Sequence, residues 1–149
     1  MKFILLITLY PEEDLERQKE YLECLNYNLK NPNIEEIVVL FEYNKDNTTF
    51  YEKLKKIKIK LMKINRHPYY YDFMTIINER YKNKVCVISN SDILFTPDKS
   101  LNLLTDIDWE DTIISLTRYN QLKQMEEPEL KKWLDKFDNG IEKQYNDLK

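Results

Sequence analysis

Short apolar runs alternate with stretches of helical periodicity over residues 3–120, and this alternation limits the fold more than any other feature. Apolar runs of this length are typical of strands buried on both faces, which occur mainly in parallel sheets. The expected strands are residues 3–9, 34–41, 57–64, 85–88 and 112–116. Lysines alternate with apolar residues in 57–64, which places that strand near an edge of the sheet.

Helical patterns fill the intervals between the expected strands. They cover residues 50–56, 70–81 and 98–104, and a first helix after Pro11 whose apolar stripe is Leu15, Leu22, Leu25 and Leu29. This order predicts an α/β fold, a Rossmann-like three-layer sandwich with helices on both faces of a mostly parallel sheet. Residues 121–149 have apolar positions at helical spacing, which predicts a helical C-terminal tail on a single domain of 149 residues.

The composition excludes several kinds of partner. The formal net charge is −3, from 23 basic and 26 acidic residues spread along the chain, so we expect no nucleic-acid partner. No run approaches the ~20 apolar residues of a transmembrane segment, and the apolar start is expected to be a strand rather than a signal peptide. Cys24 and Cys86 lie in a helical pattern and a strand pattern, which favours reduced thiols in a cytoplasmic protein.

Glycine and histidine each occur once in the chain, which argues against several common kinds of binding and catalytic site. Gly140 is the single glycine, so the chain has neither a Walker loop nor a dinucleotide fingerprint near a strand end. His67 is the single histidine, which argues against most zinc sites and against a serine or cysteine triad. A bound nucleotide would therefore be held by side chains and a metal ion rather than by a glycine-rich backbone.

Polar residues cluster where the expected strands end. They are Thr8 and Tyr10 after the first strand, Glu42 after the second, Arg66 after the third, Asn90 and Asp92 after the fourth, and Thr117 and Arg118 after the fifth. The carboxyl ends of parallel strands share one edge of a sheet, and ligands bind there in open α/β folds. A carboxylate and two arginines on that edge suit a phosphorylated, anionic substrate.

Five short motifs also occur in a fixed order. They are Arg17, Glu20, Tyr21 and Asn28; Ile34, Ile37 and Glu42; Arg66 with Tyr70 and Phe73; Asn90, Asp92, Ile93 and Phe95; and Leu116, Thr117, Arg118 and Tyr119. In these motifs the chain resembles a bacterial and viral family of small GT-A-type glycosyltransferases. The resemblance implies a GT-A-like fold in which residues 1–120 form the nucleotide-sugar-binding core and 121–149 the tail.

The resemblance also implies a metal-dependent donor site. Asn90-Ser91-Asp92 would stand for the Asp-x-Asp signature of sugar-nucleotide transferases, with Asp92 binding Mn²⁺ or Mg²⁺ and Asn90 adding a neutral oxygen. Thr8 and Tyr10 would lie near the nucleoside. Glu42 would be a further site residue, Arg66 would contact the base, ribose or diphosphate, and Arg118 would bind the diphosphate or sugar or brace the Asp92 loop.

Several of the residues in these motifs also have a simpler structural interpretation. An Asn-x-Asp after a strand is often a turn or a helix cap, because short polar side chains bond neighbouring backbone N–H groups. Arg66 is equally typical of a surface residue, and His67 of a loop residue. Tyr69-Tyr70-Tyr71 could stack on a base, but aromatic residues at a helix start more often pack into the core.

The predicted function is transfer of a sugar from a nucleoside-diphosphate donor to an unknown hydroxyl acceptor, which could be a glycan, a lipid or a protein. The resemblance implies an acceptor-side segment with a catalytic carboxylate, and no such segment follows Asn120, so the catalytic residue is unknown. The alternative is a catalytically silent binding or assembly module that needs a partner chain, to which self-association would point. A nucleotidyltransferase fits less well because Tyr10-Pro11-Glu12-Glu13 replaces a glycine-rich phosphate loop.

Overall fold

A computed structural model of the chain describes residues 1–97 and 107–110. The chain divides into two compact units, Lys2–Pro97 and Met1 with residues 98–149. Every helix and strand below belongs to the first unit. In the second, the backbone N–H of Glu110 donates to the Asp108 carboxylate over 3.1 Å. The expected helix 98–104, the strand 112–116, the boundary at residue 120, the tail and Arg118 lie outside the described residues.

The first unit contains four strands and three α-helices. In chain order these are β1 (Phe3–Leu9), α1 (Leu15–Leu29), β2 (Ile34–Glu42), a 3₁₀ turn (Lys45–Asn47), α2 (Thr48–Leu54), β3 (Lys60–Ile64), α3 (Tyr70–Arg80) and β4 (Cys86–Ser89). Each element predicted within residues 1–97 is therefore present, in the predicted order and with the predicted type. No helix among these residues has the length and apolar character needed to cross a membrane.

The four strands form one sheet in the order β3-β2-β1-β4, and all neighbouring pairs are parallel. Leu6 of β1 is in register with Val38 on one side and with Ile88 on the other. The chain thus runs outward from β1 through β2 to β3 and then returns to place β4 on the opposite side of β1. The strand order reverses between β1 and β4, which is the position where doubly wound folds form a ligand crevice.

Helices cover both faces of the sheet. On one face, side chains of β1 and β2 pack against α3 in a cluster that includes Ile4, Leu6, Val38, Leu40, Phe73, Ile76 and Tyr81. On the other face, the ring of Phe41 lies 5.8 Å from that of Phe50 and 5.4 Å from that of Tyr51, both on α2. The chain therefore has the predicted arrangement of a parallel α/β sandwich with a Rossmann-like topology, because successive strand residues alternate between two helix-covered faces.

Three details differ from the sequence-based expectation. β3 begins at Lys60 rather than at residue 57, because the N–H of Ile57 bonds the Leu54 carbonyl in the turn that ends α2. Leu15 is 76% exposed because it occupies the first residue of α1, ahead of the buried stripe. All four residues of β4 are only partly buried, not fully as predicted, since within the described part of the chain β4 pairs with β1 alone.

The edge strand β3 carries a lysine enclosed by aromatic rings. Lys63 Nζ lies 4.0 Å from the ring centre of Tyr43 and 4.4 Å from that of Tyr51, and the two rings meet edge to face at 5.3 Å. The positive charge is attracted to the electron-rich ring faces, a contact worth about 0.5–1 kcal/mol at an exposed position. This cation–π contact joins β3 to α2 and to the chain that follows β2.

Candidate functional site

The candidate site lies at the carboxyl ends of β1 and β4, where doubly wound folds form their ligand crevice, and we call this place the crevice. Ile7 and Ser89 are register partners on these neighbouring strands. Tyr10 therefore leaves β1 beside the point at which Asn90 leaves β4. Because β1 and β4 are neighbours, the polar residues that follow β1 lie beside those that follow β4, as the sequence predicted.

Helix α1 begins at this crevice and directs two side chains toward it. The Asp14 carboxylate caps the helix by accepting from the N–H groups of Glu16 and Arg17, at 2.9 and 3.4 Å. One turn later, Arg17 Nη2 donates to the Tyr21 hydroxyl over 3.2 Å, and its guanidinium lies 5.3 Å from the Tyr21 ring centre. The spacing of four residues places both side chains on one helix face.

The hydroxyl of Tyr21 connects α1 to the end of β1. Its oxygen lies 3.3 Å from the Tyr10 hydroxyl, and the two rings meet edge to face at 6.0 Å. The hydrogen bond with Tyr21, followed by burial, raises the pKa of Tyr10 to about 12. Tyr10 therefore keeps its proton at neutral pH and presents a hydroxyl group beside α1 at the carboxyl end of β1.

Asp92 is paired with the same helix face. Its Oδ2 lies 3.9 Å from Arg17 Nη2, and Arg17 Nη1 also lies 3.5 Å from Glu20 Oε2. The Arg17 side chain is 47% exposed and the Asp92 side chain 21%, so water screens this pair and its energetic contribution is small. The contact nevertheless fixes the side of the crevice on which Asp92 lies.

Two buried asparagines attach the segment after Asp92 to α1. Asn28, which is 3% exposed, donates from Nδ2 to the Ile93 carbonyl over 2.8 Å and accepts from the Phe95 N–H over 2.9 Å. Asn31, which is 4% exposed, donates to the Phe95 carbonyl over 2.6 Å. These amides satisfy the backbone of a segment that has no strand partner, as buried polar groups require. We call these three bonds the asparagine clamp.

Apolar contacts extend the clamp. The Phe95 ring packs against that of Phe3 with centroids 5.6 Å apart. Cys24 is buried on α1. Its burial and, to a smaller extent, the charges of Glu20 and Asp92 raise the pKa of its thiol to about 11. The thiol therefore remains neutral, and both cysteines are free, as the sequence predicted.

The described residues provide few ligands for a divalent cation. Among residues 1–97 and 107–110, no three His, Cys, Asp or Glu side chains lie close enough to form a metal-binding group. Asp92 offers a carboxylate, Asn90 an exposed amide and Ser91 a buried hydroxyl. Mg²⁺ commonly binds through one or two carboxylates and completes its coordination with water and substrate phosphates. The donor set fits a cation that enters with a diphosphate.

A second polar cluster lies farther along the same edge, after β2 and β3. Arg66 donates from Nη1 and Nη2 to the two Asp72 oxygens, at 2.7 and 2.8 Å, and its guanidinium stacks 4.9 Å from the Tyr69 ring. Asp72 also accepts from the Tyr69 N–H, and the hydrogen bonds from Arg66 hold the pKa of Asp72 below its usual range. His67 Nδ1 lies 3.4 Å from Glu42 Oε2.

The structure thus separates the predicted site residues into two groups. Tyr10 and Asp92 are linked through the crevice side of α1, and Glu42 and Arg66 belong to the second cluster. β3 is three strand spacings from β4, about 14 Å, so Arg66 is not beside Asp92. Thr8 is partly buried within β1, on the sheet face of Ile4 and Leu6.

Four residues that position the crevice were not among the predicted site residues. Arg17, Tyr21 and Asn28 were identified from the sequence as parts of a motif without a role in the site, and no role was predicted for Asn31. One signal was available in the sequence. Asn28 is a polar residue in the last turn of a helix whose other inward positions are mostly apolar, and Asn31 follows two residues after that helix ends.

Comparison with known proteins gives no further assignment. No protein-family model matches this sequence, and no curated protein matches it.

Proposed function

We propose that the crevice between β1 and β4 binds a nucleoside diphosphate sugar together with Mn²⁺ or Mg²⁺, and that the chain transfers the sugar to a hydroxyl acceptor. The observation that carries the proposal is the position of Asp92. It follows β4 where the strand order reverses, and the asparagine clamp and Arg17 hold its loop against α1. This is the place where a doubly wound sheet presents a side chain to a bound ligand.

The charges around the crevice support a role for the cation. Asp92 and Glu20 lie beside Arg17, and Glu12 is close enough to Tyr10 to contribute to its raised pKa. These described groups carry more negative than positive charge, so a diphosphate alone would be repelled. A divalent cation shared between Asp92 and the phosphates removes this repulsion.

Each group of residues has a role in this proposal. Asp92 and Asn90 provide oxygen ligands, and the hydroxyl oxygen of Tyr10 accepts a hydrogen bond from a hydroxyl group of the donor substrate. Arg17 keeps the Asp92 side chain oriented while the crevice is empty. When bound, the cation neutralises the charge that develops on the departing diphosphate. No catalytic base is assigned.

The second polar cluster suits the nucleoside end of the same substrate. It follows β2 and β3 on the carboxyl edge, so an extended ligand that leaves Asp92 along this edge passes Glu42 and Arg66. Arg66 is already bonded to Asp72 at both terminal nitrogens and stacks on Tyr69, which leaves the outer faces of the guanidinium and of the exposed Tyr69 ring for stacking on a base.

A thermal-shift experiment on the full chain tests the donor site. UDP, GDP, CDP and their sugar conjugates are added with and without Mn²⁺ to the wild type, to Asp92→Asn and to Glu52→Gln. Asp92→Asn is isosteric and removes one charge from the crevice. Glu52 is exposed on α2 and pairs with Lys55, so its variant is the matched control. A ligand that binds only the folded state raises the melting temperature by mass action.

The expected result is a manganese-dependent shift with one nucleotide, retained in Glu52→Gln and lost in Asp92→Asn. Release of the nucleoside diphosphate from the matching conjugate then tests transfer. Binding without release would favour the alternative of a silent binding module. The donor-site proposal fails if no nucleotide shifts the wild type, or if Asp92→Asn responds as the wild type does.

A further inference from the structure

A cavity lies at the opposite edge of the sheet from Asp92. It has a volume of about 460 Å³ and lies where β1, β2 and β3 begin and α3 ends. Its apolar lining residues are Ile4, Ile59 and Tyr81, and Ile59 is the most exposed of the three. This volume is within the range of cavities that bind small organic molecules. We call it the amino-edge cleft.

The two carboxylates of the amino-edge cleft already have partners. Lys84 Nζ lies 2.9 Å from both carboxylate oxygens of Glu35. The hydroxyl of Tyr81 donates to Glu36. Burial, followed by this hydrogen bond, raises the pKa of Tyr81, so its phenol remains neutral. The negative charges of the cleft are therefore compensated within the protein.

Two cations of the cleft remain available. Lys58 and Arg80 both line it and both are exposed, and neither forms a hydrogen bond or an ion pair with any residue in the ranges 1–97 and 107–110. With Lys84 included, three cations face two carboxylates. The cleft therefore combines a net positive charge with a partly exposed apolar side chain, that of Ile59.

We infer that the amino-edge cleft binds a phosphate monoester whose organic part is a ring. A phosphomonoester carries close to two negative charges at neutral pH, which matches two cations better than a carboxylate does. The fork of Arg80 can bind two phosphate oxygens and Lys58 supplies a point charge. The ring packs on the partly exposed Ile59, which explains why an apolar side chain lies beside the cations.

This inference does not depend on the proposed transferase function. The cleft lies at the amino ends of the strands, whereas Asp92 lies at the carboxyl edge. Its cations bind the phosphate directly, so binding needs no metal ion. Either proposal can fail while the other holds.

Isothermal titration with phenyl phosphate tests the cleft, because the probe combines a phosphoryl group with an aromatic ring. The full chain is titrated in the absence of divalent metal as wild type, Arg80→Ala, Lys58→Ala and Lys82→Ala. Lys82 is exposed close to Arg80 in sequence and does not line the cleft, so its variant controls for net charge. Asp92→Ala is included to exclude binding at the opposite edge.

The expected result is saturable binding to the wild type, weakened about tenfold or more in Arg80→Ala and in Lys58→Ala, since a charged hydrogen bond contributes that much. Lys82→Ala and Asp92→Ala should bind as the wild type does, and inorganic phosphate should bind more weakly than phenyl phosphate. The inference is overturned if binding is not saturable, if Arg80→Ala and Lys58→Ala bind normally, or if Asp92→Ala abolishes binding.

Discussion

Replacing Asn28 with alanine should separate the Asp92 loop from α1 and destabilise the fold. The substitution removes the donor to the Ile93 carbonyl and the acceptor for the Phe95 N–H. A buried backbone group left without a partner costs about 1–3 kcal/mol. Both bonds are only part-buried, so water replaces some of this bonding, and we expect the free energy of unfolding to fall by about 2–4 kcal/mol in total.

Asn26→Ala is the matched control for this experiment. Asn26 lies on the same helix and is exposed, so its replacement gives the same gain in helix propensity, about 0.5 kcal/mol, without breaking the clamp. The difference between the two variants therefore isolates the asparagine clamp. Urea denaturation of the full chain at neutral pH measures it, provided that the slope with denaturant is unchanged.

Asn28→Asp tests which half of the clamp matters. The aspartate keeps an acceptor for the Phe95 N–H, but it brings a carboxylate oxygen against the Ile93 carbonyl in place of a donor. We expect it to be at least as destabilising as Asn28→Ala, because the charge is poorly solvated there. Equal stability of Asn28→Ala and Asn26→Ala would refute the view that these bonds hold the loop.

Three further perturbations test other parts of the structure. Asp72 has a lowered pKa in the folded state, so its ionised form stabilises the fold above the unfolded pKa, and this contribution is lost as the pH falls through the folded pKa. In Asp72→Asn the melting temperature should therefore depend less on pH below about pH 4. A pH profile equal to that of the wild type would contradict this. Lys63→Met should lose about 0.5–1 kcal/mol in urea denaturation, whereas Lys55→Met should not, because Lys63 alone of the two contacts tyrosine rings. Burial raises the pKa of both cysteine thiols. A thiol reagent at neutral pH should therefore label Cys24 and Cys86 slowly in the folded protein and rapidly after denaturation. Rapid labelling of Cys24 in the folded protein would show that α1 opens.

The order and type of the elements could be predicted because each has a local signal. Continuous apolar runs predicted β1 and β2, and the helical pattern over residues 70–81 predicted α3. Boundaries were less certain because they depend on local hydrogen bonds. The turn at Ile57 shortens β3, and a leucine in the first turn of α1 is exposed despite fitting the periodic pattern.

The position of Asp92 was predictable because it depends only on where β4 ends in a parallel sheet. The residues that hold it were not, because Asn28 bonds backbone groups 65 and 67 positions away and no local pattern encodes such a contact. Arg66 was assigned to the ligand because of its place after β3. Its bonds to Asp72 depend on the start of α3, where the Asp72 carboxylate is already held by the N–H of Tyr69.

The asparagine clamp also determines when the crevice can form. During folding, α1 can become helical early, but the partners of Asn28 and Asn31 lie beyond β4, after β2, β3 and α3. Contacts between residues so distant in the chain form late because a long loop must close first. The Phe95 amide proton is therefore a single-residue reporter: its slow exchange with solvent marks the molecules in which the crevice is complete.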